Sequence, residues 1–209
     1  MAVAMPTQAW REVPTLEGRH ATLAPLSATH ADGLRRARGD AGLDGLWFAN
    51  VPPADGMEGF VAAALRAQAD GEALPFAVLD ADGEVAGTTR FYDLRPEVPR
   101  LSIGHTWYAP RVQRTGLNTE AKLLLLRHAF EALGCICVAF ETSAHNARSR
   151  AAIARLGARQ DGILRHHKRH ADGSPRDTVA FSIIDSEWPQ VRQGLLAKLQ
   201  LHEVSANVR

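Results

Sequence analysis

Alternation of apolar and polar positions divides the chain into short strands and a few helices. His20–Pro25 (HATLAP) alternates as a strand. Ser27–Arg38 follows with helical spacing, with Ser27 or Thr29 as its cap and Leu34 and Ala37 facing inward. Met57–Asp70 repeats the helical pattern and ends near Gly71. Three strands come next: Phe76–Asp80 turns at Asp82–Gly83, a strong hairpin signal, into Glu84–Asp93, and Arg100–Tyr108 alternates as the third. A helix rich in leucine then runs to Gly134. It is apolar on two stripes, Leu117/Ala121/Leu124/Leu125 and Leu123/Leu126/Phe130/Leu133, so burial over most of its girth is expected. Cys135–Thr142 reads as a buried strand and Asn146–Leu156 as a short helix stopped by Gly157. Ala158–Leu164 and Asp177–Ile184 supply two more strands. The tail Glu187–Leu201 is amphipathic, with Trp188, Val191, Leu195, Leu196 and Leu199 on one side. That stripe needs cover from the rest of the domain or from a second copy. A homodimer through the tail or the late strand Thr178–Ile184 is expected. Residues 1–18 read as an irregular lead-in. Strand, two helices, three strands, helix, strand, helix, two strands: the order implies an α+β fold on one mixed sheet.

The 209 residues suit one domain, 1–209, with length enough for a core. A net charge of +1 argues against a dedicated polyanion binder, so nucleic acid is not the expected partner. No apolar run reaches about 18 residues, so no membrane span is expected, and MAVAMPTQAWREVPTLEG lacks the pattern of a signal peptide. Cys135 and Cys137 occupy alternate positions of one strand and cannot readily bridge, which fits a reduced, cytoplasmic protein. The breaker-rich passage Gly39–Gly56 holds LWFANVPP, with Trp47, Phe48 and Asn50. It is either a loop covering the core or a lid over a ligand.

Chemistry gathers where the leucine helix begins. The loop Gln113-Arg114-Thr115-Gly116-Leu117-Asn118 feeds it, with Asn118 as N-cap and Glu120 in the first turn. Such an end offers free backbone N–H groups and roughly half a positive charge, which favours phosphate. Gly116 would let a ligand approach the backbone, and Arg111 and Arg114 add cations. An ordinary strand–turn–helix connection with solvated arginines is the competing reading. The loop matches neither the Walker nor the dinucleotide pattern. A second cluster, Arg165-His166-His167-Lys168-Arg169-His170, holds three histidines. No carboxylate or cysteine joins them and adjacent histidines on a strand point apart, so no metal is expected. It reads as a solvated basic arm, or as one steering an acidic peptide, RNA or a phosphate.

The pattern Gln113-x-x-Gly116-x-Asn118, after a strand and opening a helix, resembles the pyrophosphate loop of the GNAT acetyltransferases, although Asn118 departs from the usual small residue. QRTGLNTEAKLLLLRHAFE resembles the Rim-type branch that contains ribosomal-protein N-acetyltransferases. HATLAPLSATHADGL and LGARQDGILRHHKRHADGSPRDTVAFSIIDSEWPQV are similar to that branch's first and closing segments. The resemblance implies a GNAT-like domain, with a mixed, mostly antiparallel sheet flanked by helices and acetyl-CoA as cosubstrate. It assigns coenzyme contacts to Trp107, Tyr108, Gln113, Arg114, Thr115, Gly116, Leu117, Asn118 and Asn146. It places the acetyl group along Ile103–Tyr108, where a bulge, easily made at Gly104, frees a backbone N–H for the thioester carbonyl. Ser149, in Asn146-Ala147-Arg148-Ser149, would protonate the departing thiolate. The branch's closing glutamate is absent, with Lys168 or a neighbour in its place, and Ser102 stands where many relatives have an acid. The bases left are His105, Glu141, His145 and Asp93. Of these His105 is favoured, since an ordinary histidine pKa of about 6.5 suits proton transfer near neutrality. The implied acceptor is a primary amine, with a protein α-amine favoured. A small-molecule amine or a coenzyme-binding module with little turnover are the alternatives.

Overall fold

In the computed structural model, which describes residues 8–39 and 51–207, all described strands join one eight-stranded sheet. They are β1 (Leu16–Glu17), β2 (Thr22–Pro25), β3 (Ala73–Leu79), β4 (Val85–Arg95), β5 (Arg100–Tyr108), β6 (Cys137–Ser143), β7 (Arg159–Arg169) and β8 (Pro175–Ile184). Their spatial order is β1-β2-β3-β4-β5-β6-β8-β7, and every neighbouring pair is antiparallel except β5 with β6. The hairpins follow from the turn residues. Asp80 accepts from the N–H groups of Asp82 and Glu84 through its carboxylate, while Gly83 supplies the φ of 80° that closes the β3–β4 turn.

Among the described residues five α-helices cover the sheet: α1 (Ala31–Arg38), α2 (Met57–Ala69), α3 (Leu117–Arg127), α4 (Ala147–Leu156) and α5 (Trp188–Asn207). A single π-helical turn, His128–Ala132, prolongs α3. Alternation along β4 separates the two faces. Arg90 reaches the ring of Phe60 on α2, whereas Phe91 stacks on His128 with centroids 6.0 Å apart. So α2 and α3 lie on opposite faces, and the core runs through both. β3 is buried on both sides, which is why ALPFAVL reads as a continuous apolar run. α3 is buried along Leu117 and Thr119–Leu126, as its two stripes require.

Several expectations change in detail. A short strand, β1, lies inside the lead-in. The helical segment Ser27–Arg38 opens with a 3-10 turn, Ala28–His30. β7 extends to Arg169, so the basic arm is strand, and the turn follows it at Asp172–Gly173. α5 packs its stripe on its own domain: Trp188, Val191, Leu195 and Leu199 are buried, Trp188 stacks on Phe130 at 5.4 Å, and its indole N–H donates to Glu131 at 3.0 Å. Leu196 is exposed. β8 lies between β6 and β7. Much of the tail stripe is thus covered by its own domain, while Leu196 and Leu201 on α5 and Ile184 at the end of β8 remain exposed. Residues 46–50 of the LWFANVPP segment lie outside the described residues, and the lid reading with them. Among the described residues no helix is long and apolar enough to cross a membrane.

Glu120 ties the segment entering β2 to α3. Its buried carboxylate accepts from the backbone N–H of His20 and, at 2.8 Å, from that of Ala21, so it fastens α3 to β2. Glu120→Ala leaves both amides without a partner and is expected to cost about 1–3 kcal/mol. Urea unfolding with an unchanged midpoint would contradict this.

Candidate active site

β5 and β6 pair only through Arg100–Cys137, Leu101–Val138 and Ser102–Ala139. Beyond Ser102 the strands part. The β6-facing edge of β5 from Ile103 to Tyr108 has no strand partner, and its backbone groups open into the gap. On the opposite edge Arg90 pairs with Gly104 and Thr88 with Trp107, so His105 and Thr106 together face Thr89. This is a bulge, and His105 holds a left-handed backbone at φ 50°. Gly104 precedes the bulge. A Cβ there would meet the Tyr92 ring at 2.7 Å, so close packing against Tyr92 requires the glycine.

Lys122 of α3 lies beneath the bulge. It donates to Thr106 Oγ1 at 2.8 Å and Thr89 Oγ1 at 3.3 Å, and the two hydroxyls are 2.7 Å apart. Burial pulls its pKa down to about 7. Sequence reasoning missed this residue. Its one signal is a charge in a helix that is apolar almost all round.

His105 sets its ring edge-on to Tyr92, 5.4 Å away. Part of the residue is exposed to solvent. Burial of the rest, then the charges of Arg90, Lys168 and Arg176, push its pKa down to about 4. His105 is thus neutral near pH 7 and a weak base, unlike the ordinary histidine that made it attractive. Tyr92 is pushed up to about 12 by burial and then by the Glu141 carboxylate, so it stays a phenol. Glu141 is held by Lys168, 2.5 Å away across β8. The lysine standing where the resemblance calls for a glutamate thus engages another strand's glutamate. Asp93 turns outward to Arg95 at 3.1 Å, and Ser102 is buried. His145 is exposed, its ring 6.1 Å from that of His170.

Across the gap β6 leads into α4. Asn146 caps that helix, its Oδ1 accepting from Ser149 N–H at 2.9 Å. The Ser149 hydroxyl, in the first turn and half-buried, meets no partner among the described residues. Gln113 links the two sides. It donates to the Tyr108 carbonyl at 3.2 Å and accepts from Arg148 at 2.6 Å.

The helix start differs from the expected one. Gly116, not Asn118, is the N-cap, and Thr115 does the capping, accepting from Leu117 N–H at 3.3 Å while donating to the Val112 carbonyl at 2.7 Å. Arg114 turns the chain at φ 64°. The N–H groups of Arg114, Thr115, Gly116, Asn118 and Thr119 meet no acceptor among the described residues. Such a group of amides at a helix start suits an anion. Gly116 has an ordinary φ of −66°. A Cβ there would meet the His20 ring at 3.0 Å, so its smallness serves that packing. Arg111 is bound to Asp80 and to the Val85 carbonyl, which leaves Arg114 as the loop's exposed cation. Trp107 is buried and Tyr108 half-buried, with indole N–H and phenol lacking acceptors among the described residues; both side chains pack with the core. In the basic arm His166 leaves the ladder at φ 49° and His170 is buried beside Ser143, 3.5 Å away. Among the described residues no three His, Cys, Asp or Glu side chains converge on a metal position.

Residues 20–159 match the model of the acetyltransferase (GNAT) domain. The chain is 30% identical over 107 residues to YdaF of Bacillus subtilis (strain 168), provisionally named a ribosomal N-acetyltransferase; the match spans 51% of this chain and 57% of YdaF. A GCN5-related N-acetyltransferase from Brucella melitensis superposes with a TM-score of 0.81 at 32% identity, over 90% of this chain and 86% of that one. RimJ of Mycobacterium smegmatis, solved in complex with CoA-disulfide, shares the fold at 24% identity and a TM-score of 0.73, over 91% of this chain and 96% of its own.

Lys122 makes stability depend on pH. Its pKa of about 7 in the fold lies below the ordinary 10.5, so between these values the unfolded chain holds the proton and the folded one does not. Stability should rise with pH through that window, by up to about 1.4 kcal/mol per unit. Lys122→Met lacks this dependence. It should be the more stable protein at pH 6.5, with the advantage shrinking towards pH 10. A difference that does not vary with pH would contradict a buried ammonium.

Proposed function

The chain belongs to the GNAT acetyltransferases, and we propose that it moves the acetyl group of acetyl-CoA to a primary amine, with a protein N-terminal α-amine as the favoured acceptor. The observation that carries the reading is the parting of β5 from β6 after three residue pairs, beside a bulge and next to unpaired amides at the start of α3. The gap suits an extended pantetheine arm, and the amides of Arg114–Thr119 with the Arg114 side chain suit its pyrophosphate. The coenzyme carried by RimJ, a protein of the same fold, supports this use of the cleft.

In the reaction the amine lone pair forms a C–N bond to the thioester carbon, the C–S bond breaks, sulfur takes a proton and the new amide gives one up. Unpaired β5 amides would stabilise the oxyanion. Ser149, with a free hydroxyl at the mouth of the gap, is the candidate donor to the thiolate. His105 is too weak a base to take a proton from an ammonium, and it suits better as a hydrogen-bond acceptor that orients the neutral amine. A weak base is sufficient for an α-amine, whose pKa of about 7.7–8.0 leaves a useful neutral fraction; a lysine amine near 10.4 is almost wholly charged. This favours α-amines over lysine side chains, and the ribosomal name of YdaF fits a protein acceptor. The free thiols of Cys135 and Cys137 suit a reducing, cytoplasmic setting. A small α-amino compound is the second reading, since it shares the same low pKa.

Arg114→Glu is expected to weaken acetyl-CoA binding by about tenfold or more in calorimetric titration, by replacing the loop's exposed cation with an anion. Unchanged affinity would remove the loop from the coenzyme site. Ser149→Ala should lower kcat more than it changes the KM for acetyl-CoA. Fragment mass spectra of acetylated peptides should locate the acetyl group on the α-amine; acetylation of internal lysines with the terminus left free would contradict the acceptor assignment.

A further inference from the structure

We propose that the acceptor side of the cleft is built for a carboxylate: Arg90, lying on Phe60, receives an acidic group carried close to the amine that is acetylated. The proposal rests on the acetyl-transfer reading above and adds the chemical class of its acceptor.

Arg90 is 8% exposed, its Nε is fully buried without an acceptor, and no described residue accepts from any of its N–H groups. Its guanidinium lies over the Phe60 ring, whose centroid is 5.4 Å from Cζ. Several other arginines of the fold are matched, although Arg100, Arg150 and Arg176 also carry a buried Nε without an acceptor among the described residues. Arg38, still more buried at 4%, donates from Nε to the Pro52 carbonyl at 2.8 Å. Arg35 meets Asp32 and Glu58, and Arg111 meets Asp80. A guanidinium taken out of water without a partner is costly, and the face of one aromatic ring recovers only part of that cost. An anion entering the cleft would supply the missing partner.

The surroundings point the same way. Register sets Arg90 beside Gly104, immediately before the His105 bulge, and the depressed pKa of His105 registers the charge of Arg90 nearby. Of the other two cations acting on that ring, Lys168 is neutralised by Glu141, whereas Arg176 Nε also lacks an acceptor. The cleft wall thus keeps guanidinium charge in excess, in the planar form that matches a carboxylate by paired hydrogen bonds. Two sources place a carboxylate within a few ångströms of a free amine: an acidic side chain at the second position of a peptide, or the carboxylate of a free amino acid.

The test compares kcat/KM for C-terminally amidated peptides beginning Ser-Glu and Ser-Gln, and for serine against serinamide, in the full chain and in Arg90→Met and Arg90→Lys. The parent protein is expected to favour the acidic member of one pair by about tenfold or more. A preference in the peptide pair identifies a side-chain carboxylate, and one in the serine pair the amino acid's own. In Arg90→Met the ratio should fall to within about twofold of one, with Arg90→Lys intermediate. Arg90→Met should also raise Tm in the absence of ligand, because it removes an unpaired buried charge. Equal use of both members of both pairs by the parent overturns the proposal, as does a lowered Tm in Arg90→Met with the ratio unchanged. If no amine is acetylated, the acetyl-transfer reading fails by itself. Calorimetric binding of the same four compounds to parent and Arg90→Met then decides the carboxylate site: selective binding lost in the variant supports it, and no selectivity overturns it.

Discussion

The structure depends on one interruption of regular pairing. β5 and β6 begin as an ordinary parallel pair, deep among apolar side chains, and separate after Ser102 and Ala139. A sheet that stayed zipped would use every backbone group on itself. The separation leaves one edge of β5 unpaired in the middle of a folded protein, and the bulge at His105–Thr106 loosens the other edge where chemistry is needed. Lys122 holds this irregular stretch from α3 through Thr89 and Thr106.

Charge is distributed with the same economy. At the mouth of the gap, unpaired amides and Arg114 present a diffuse positive end, while Gln113 bridges Tyr108 to Arg148 and keeps the two sides in register. Inside, Arg90, Lys168 and Arg176 act on His105, and Lys168 is paired with Glu141. Burial first and those cations second keep His105 neutral, so amine deprotonation falls mainly to the acceptor's own pKa and to solvent. One electrostatic feature thus links the weak protein base to the preference for α-amines.

Much of the fold was legible because its signals are local. The Asp82–Gly83 turn, the alternation of Arg100–Tyr108 and the stripes of α3 each act within a few residues, and each element formed where its pattern placed it. The loop at Gln113–Asn118 was legible as a position, but the work of single residues in it was not. Capping fell to Thr115 because its hydroxyl bridges Val112 and Leu117, and Gly116 is small because His20 packs over it, a contact between residues far apart in sequence. Lys122, Arg90 and the low pKa of His105 were out of reach for the same reason. Their character comes from burial against other elements, which no window of sequence contains.

Amide hydrogen exchange with and without acetyl-CoA tests the central claim most directly, because it reads the backbone groups on which the account relies. The account predicts that coenzyme slows exchange in two stretches, Ile103–Tyr108 on the unpaired edge of β5 and Arg114–Thr119 at the start of α3, while the paired strands β3 and β8 are unchanged. Coenzyme that binds and protects neither stretch would contradict it.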